Sequence, residues 1–199
     1  MKWSLPAITL LVAISTAACG QSMKQPDIQF NPHPKMRYEI TLTVQDAPGR
    51  FDAVDASVDY QVANEQCVPL APVSGARLSP RKHLPVALVP VSANVFKGEF
   101  YLDRLADQDY YGLGVCRWSV TGAGATLRVG GTEFSAPIFI EDILAKRPAS
   151  RFFSALSYRE SAPLPQGQEP WVDVGSAKQS DFRDPASTFS TALVTEAKF

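Results

Sequence analysis

The sequence runs to 199 residues, with 19 Lys and Arg against 20 Asp and Glu and a formal net charge of -1. The two signs are interspersed, and nothing suggests a nucleic-acid footprint, which would need a basic patch or stripe. No apolar run beyond the N-terminus is long enough to cross a bilayer as a helix, and without an N-terminal leader about 180 residues remain, the size of one domain or one domain with an appendage.

Chain order begins with that leader. Lys2 supplies a single positive charge, Leu5 to Ile14 form a short apolar stretch, and Ser15, Thr16, Ala17 and Ala18 are small. This is the layout of a secretory signal over residues 1–18. Thr16-Ala17-Ala18-Cys19 resembles the lipobox of bacterial lipoproteins, with Thr where Leu is commonest. In that family the cysteine thiol is diacylated, the preceding peptide is removed and the new N-terminus is acylated, so the resemblance implies lipid on Cys19. An ordinary signal peptide cut nearby would instead leave Cys19 as a spare thiol. Each buried methylene is worth about 0.8 kcal/mol, and two or more chains anchor stably. Gly20, not Asp, follows the cysteine. In enterobacterial lipoproteins an Asp there favours the inner membrane, so the resemblance points to the outer membrane, facing the periplasm. Residues 19–36 are polar, carry Pro26, Pro32 and Pro34, and read as a flexible, extended tether.

Cys67 and Cys116 remain. An even pair in an exported chain implies a disulfide, closing a loop of about 50 residues and stabilising by about 4 kcal/mol in the chain-entropy treatment. A metal pair or a redox pair lacks supporting neighbours: there is no C-x-x-C spacing, and the only histidines are His33 and His83.

From Arg37 the apolar period is two. Tyr38, Ile40, Leu42 and Val44 alternate with polar residues, as do Val54, Ala56, Val58, Tyr60 and Val62, each set predicting a half-buried strand. Residues 69–82 are a loop. Leu84 to Val91 predicts a strand at a sheet edge, because Pro85 and Pro90 cannot donate to a ladder. Phe96, Phe100 and Leu102 mark another strand, and Cys116, Trp118 and Val120 share one face of the next. Gly122-Ala123-Gly124 predicts a turn before a strand from Ala125 to Val129, Gly130-Gly131 another turn, and Phe134 to Ile140 a further strand. A short helix is expected over 141–146, stopped by Pro148. Arg151 to Tyr158 and Ser187 to Thr195 read as strands on either side of a Pro-rich loop, 161–170. The pattern is all-β: an antiparallel β-sandwich of immunoglobulin-like architecture over 37–141 with one disulfide, and a less regular C-terminal extension over 142–199 that completes or wraps it. The antibody hallmarks are missing, since no Trp lies between the cysteines and Gly114 stands where a tyrosine corner would place its Tyr.

Two runs carry a more specific signal. Tyr60, Asn64, Cys67 and Pro69 fit the pattern Y-x-x-x-N-x-x-C-x-P, and residues 109–118 read DYYGLGVCRW. Together they resemble a group of small proteobacterial lipoproteins over about residues 37–140. Members of that group are thought to act as periplasmic immunity proteins against secreted antibacterial effectors, chiefly of type VI systems. The resemblance implies a protein partner, a cognate toxin such as a lipase or a cell-wall hydrolase. The alternative is a structural or assembly lipoprotein of the envelope or of a secretion machine. Tyr and Arg are frequent interface anchors, so Asp103, Arg104, Asp107, Asp109, Tyr110 and Tyr111 are the candidate partner-binding residues. The same run also has a purely architectural explanation, with Gly112 and Gly114 serving backbone turns and the tyrosines covering the core edge. No catalytic residue is expected: there is no G-x-S-x-G, and nothing marks a Ser and a carboxylate for His83. No metal site has ligand spacing, and no motif calls for a cofactor.

Overall fold

The computed structural model describes residues 26–199. The signal segment and Cys19 lie outside them. Ten strands form two five-stranded sheets: β1 (Arg37–Gln45), β2 (Ala53–Val62), β3 (Arg81–Val86), β4 (Leu88–Ser92), β5 (Val95–Tyr101), β6 (Trp118–Val129), β7 (Thr132–Phe139), β8 (Ala149–Ser154), β9 (Trp171–Asp173) and β10 (Thr188–Ala197). One sheet runs β4-β5-β1-β10-β8 and the other β3-β2-β6-β7-β9. All pairings are antiparallel except the three-residue β7–β9 contact, which is parallel. The all-β sandwich expected from the alternation is what the chain forms.

The inward residues of the first two strands are the expected ones. Ile40, Leu42 and Val44 of β1 and Val58, Tyr60 and Val62 of β2 are buried, each on the apolar side of a period-two pattern. The sandwich is closed by aromatic rings. Phe134, Phe153 and Phe189 meet at centroid separations of 5.2 to 5.4 Å, within the favourable range for edge-to-face and offset pairs. Phe51 and Tyr158 extend the cluster.

Five expectations are corrected. Leu84 to Val91 is not one strand: the chain leaves the second sheet after Val86 and enters the first at Leu88, so β3 and β4 are the edges of different sheets. Pro85 and Pro90 thus both lie on edge strands, as their missing N–H groups require. The turn at Gly122-Ala123-Gly124 is instead the middle of β6, a single strand of 12 residues. A Cβ on Gly122 would come 2.8 Å from the Ile138 carbonyl oxygen, so glycine here admits close approach of β7 rather than a reversal. The register slips at the Asp59/Tyr60 step of β2, where Asp59 faces Gly122 and Tyr60 faces Val120, leaving Thr121 as the extra residue of a bulge. The apolar stretch after Arg151 is split: β8 ends at Ser154, whose Oγ accepts from the Leu156 and Ser157 amides at 3.1 and 3.4 Å, capping the short helix α2 (Ala155–Arg159). The helix near 141 is α1 (Ile140–Ala145) and ends one residue early, where Lys146 turns left-handed at φ 55° and donates to the Ile143 carbonyl. Last, the tether is docked along most of its described length. Phe30 bridges Leu105, Asn31 N–H donates to the Arg104 carbonyl, and Ala106 N–H donates to the Gln29 carbonyl, both at 2.9 Å.

Residues 142–199 complete the sandwich from its middle. β10 lies between β1 and β8, with Leu42 opposite Leu193. The antiparallel order gives the molecule two ends. One collects the docked strap, the 63–80 and 102–117 loops, α1 and the C-terminus. The other carries the 46–52, 93–94 and 130–131 turns and α2.

Candidate functional site

The two motif runs meet at the first end. Cys67 and Cys116 are disulfide-bonded with Cα atoms 5.3 Å apart, and both are buried beside Val62 and Val68, with Tyr110, Tyr111 and Trp118 packed around them. Asn64 makes the second link. Its Nδ2 donates to the Val115 carbonyl at 2.8 Å, and its Oδ1 accepts from the Arg117 amide at 2.7 Å. The carboxamide thus replaces one peptide unit of a strand partner and pairs with the backbone on both sides of Cys116. Arg77 donates to the Val68 carbonyl, folding the 68–80 loop back on itself, and Leu70 bridges Arg77. Asn64, Cys67, Cys116 and Trp118 are therefore one clasp, which accounts for that spacing without any chemistry.

Most of the residues expected to face a partner serve this architecture. Asp103 accepts from the Lys35 and Met36 amides at 2.8 and 3.0 Å, fixing the strap. The Arg104 guanidinium lies 4.9 Å from the Phe30 ring centre, a cation–π contact. Asp107 accepts from the Trp118 amide at 2.9 Å. Tyr110 donates to the Ala106 carbonyl at 2.6 Å and sets its ring edge-on to Trp118. Asp109 accepts from the Tyr111 and Leu113 amides. Desolvation works to raise its pKa, but the amides of Gly114, Gly112, Tyr111 and Leu113 outweigh it and hold the carboxyl below the usual carboxylate range. Gly112 and Gly114 sit at φ 73° and 104° with nothing near their absent side chains, so backbone conformation alone requires glycine there. Tyr111 packs against the disulfide, and desolvation raises its hydroxyl's pKa. The structure brings the six residues together at one end, engaged with their own chain.

Among the charged residues that this end shows to water are several aliphatic ones. Leu113 and Val115 are half-exposed beyond the glycines, and Leu70, Leu78 and the fully exposed Val73 cap the neighbouring loop. None of these was singled out from the sequence, where small apolar residues between prolines and glycines give no periodic signal.

A second surface lies on the outward side of β3-β2-β6-β7. Pro85, Ser57, Gly124 and Pro137 stand in one row across four strands. Two depressions of about 660 and 620 Å³ share His83; Ser57, Pro85, Arg128 and Glu133 line the first, and Asp59, Arg81 and Lys82 the second. His83 Nδ1 lies 2.7 Å from Asp59 Oδ1, both side chains exposed, so the carboxylate that the sequence did not mark for His83 sits across the ladder from it. Among the described residues no hydroxyl is hydrogen-bonded to the His83 ring, and no group of three His, Cys, Asp or Glu could hold a metal ion. The strong perturbation elsewhere is Tyr60, whose buried hydroxyl has its pKa pushed up by desolvation and donates to the Tyr101 carbonyl at 2.6 Å. That bond joins the two sheets. No helix among the described residues is long and apolar enough to cross a membrane.

No protein-family model, no curated protein and no solved structure matches this chain.

Proposed function

We propose that this chain is a lipid-anchored protein of the cell envelope that binds another protein, and that the partner is a secreted antibacterial effector which it neutralises in the periplasm. The observation that carries the binding reading is the open face of the β3-β2-β6-β7 sheet. Its central row of Pro85, Ser57, Gly124 and Pro137 carries short side chains, and it is bordered by exposed Asp55, Asp59, His83 and Phe139. The short side chains of that row lose little rotamer entropy on docking, and the charged groups around it, Asp55, Arg128 and Glu133 among them, supply charge to select a partner. The effector reading rests on the resemblance of residues 60–69 and 109–118 to lipoproteins thought to be immunity proteins. A lipid on Cys19 would hold the inhibitor where such a toxin meets membrane or wall.

The test is genetic and then structural. Deleting the gene is expected to make the cell susceptible to siblings that deliver an effector encoded beside it, and restoring the chain is expected to rescue. The variant pair Ser57→Arg and Thr126→Arg is expected to abolish rescue while leaving the melting temperature within a few degrees. Full protection by that double variant would remove the sheet face from consideration. Recovery of secretion-machine subunits, rather than one toxin, would replace inhibition with an assembly role.

A further inference from the structure

We infer that the disulfide-clasped end of the sandwich rests on an anionic lipid surface through the tips of its two loops. This inference rests on the reading of Cys19 as the lipidated residue. Three observations lead to it.

The first is reach. The chain joins the sandwich through the docked strap, whose Gln29 and Asn31 bond Ala106 and Arg104. Those residues adjoin Asp107 and Gln108, which pair with Trp118 and Cys116 of the clasp. Between Cys19 and Pro26 there are seven residue steps, which span at most about 25 Å when fully extended. β6, with 12 residues, is about 40 Å long. The leash is shorter than the sandwich and leaves from the clasp end, so that end is the one held against the lipid.

The second is charge. Between Glu65 and Glu99 the sequence contains no Asp or Glu but does contain Arg77, Arg81, Lys82 and Lys97. Lys97 is paired with Glu39. Arg81, Lys82 and neighbouring Arg117 form no ion pair among the described residues. The nearby carboxylates Asp103, Asp107 and Asp109 are turned to backbone amides, and exposed Glu65 beside Cys67 is set against the three cations.

The third is the apolar tips. Val73 is 101% exposed and Leu113 53%, with Leu70, Leu78 and Val115 around them. Aliphatic tips beside unpaired cations suit the boundary between headgroups and acyl chains. An acidic protein would use the cations but would not need Val73 to protrude.

The test uses the chain from residue 19 onward carrying Cys19→Ser, so that no acyl chain contributes. Its co-sedimentation is measured with vesicles containing phosphatidylglycerol and with vesicles of phosphatidylcholine alone. Binding is expected only to the former and should weaken as salt rises. Each cation near such a surface is worth about fivefold in partitioning, so Arg81→Gln with Arg117→Gln is expected to weaken it about 25-fold. Val73→Asp with Leu113→Asp is expected to abolish it. Unchanged thermal melting of both variants keeps a folding defect from mimicking the result. Equal binding to both vesicle types, no binding to either, or wild-type binding by the Val73 and Leu113 variant would each overturn the inference. Retention on immobilised polyaspartate that ignores Val73→Asp would also overturn it and point to an acidic protein. Palmitate labelling of the full chain, with and without Cys19→Ser, tests the anchor by itself, so its failure is distinguishable from failure at the loops.

Discussion

Removing the Cys67–Cys116 bridge should cost this protein a large part of its stability, and the cost can be worked from the chain. The cysteines are 49 positions apart, so the bridge closes about 50 residues, and the loss of unfolded-state entropy it imposes corresponds to about 4 kcal/mol. Both residues are buried, so Cys67→Ala with Cys116→Ala also gives up packing against Val62, Val68 and Tyr111. Set against the ordinary range of about 5 to 15 kcal/mol for a domain, the double variant should unfold at far lower denaturant. Urea titration followed by tryptophan fluorescence is the assay, since Trp118 packs against the bridge. With a slope of about 2 kcal/mol per molar, the midpoint should fall by about 2 M, and the slope should rise because the unfolded chain is no longer cross-linked. A loss below about 1 kcal/mol at unchanged slope would refute the reasoning. It would mean that the unfolded chain is already compact between these positions, so that the bridge restricts little.

Asn64→Asp should separate the two halves of the clasp: the carboxylate still accepts from the Arg117 amide but cannot donate to the Val115 carbonyl, so a loss of about 1 kcal/mol in the same titration is expected. Asp109 titrates in the folded protein below its unfolded value. Its contribution is therefore complete above the unfolded pKa of about 3.9 and is lost as pH falls through the folded value. Melting temperatures recorded through the acid range should show a shallower decline for Asp109→Asn than for wild type. A chain ending after Glu141 lacks β8 and β10 and leaves β1 as an unpaired apolar edge. Such a chain should give no cooperative thermal transition, and a sharp transition would show that residues 37–141 fold alone.

How much of this was legible depended on whether an element's partners lie within its own pattern. β1 and β2 were readable because one face is dry and the other wet, which writes a period of two directly into Tyr38–Val44 and Val54–Val62. The helix near 141 was readable from its composition and from Pro148. β6 was misread because Gly122 and Gly124 look the same whether they reverse the chain or admit a neighbour. Only the Ile138 carbonyl, at 2.8 Å from where a Cβ would stand, decides between those readings. β9 has three residues and is held by a parallel contact with β7, too little length for any periodicity to register. The strap was misread for a related reason. Its prolines describe an extended chain correctly, but whether that chain floats or docks is set by Asp103, more than 60 residues away.

The same locality problem governs the candidate site. Asp103, Asp107 and Asp109 stand among the candidate partner-binding residues because Tyr and Arg anchors lie beside them, and each accepts from backbone amides of its own chain. Residue type states that an aspartate seeks donors, not whose donors they are. Asn64 showed the converse. It stood in the motif as an unexplained letter, and its two backbone bonds across the disulfide make it the residue that aligns the loops. Once the polar residues of the DYYGLGVCRW run are committed inward, the apolar ones that remain outside, Leu113 and Val115, become the feature requiring an explanation. Removing half-exposed aliphatic side chains from water is favourable. The lipid contact proposed for that end would use Val73 and Leu113, and the protein contact proposed for the open sheet face would use Ser57 and Thr126, so separate variants test the two readings.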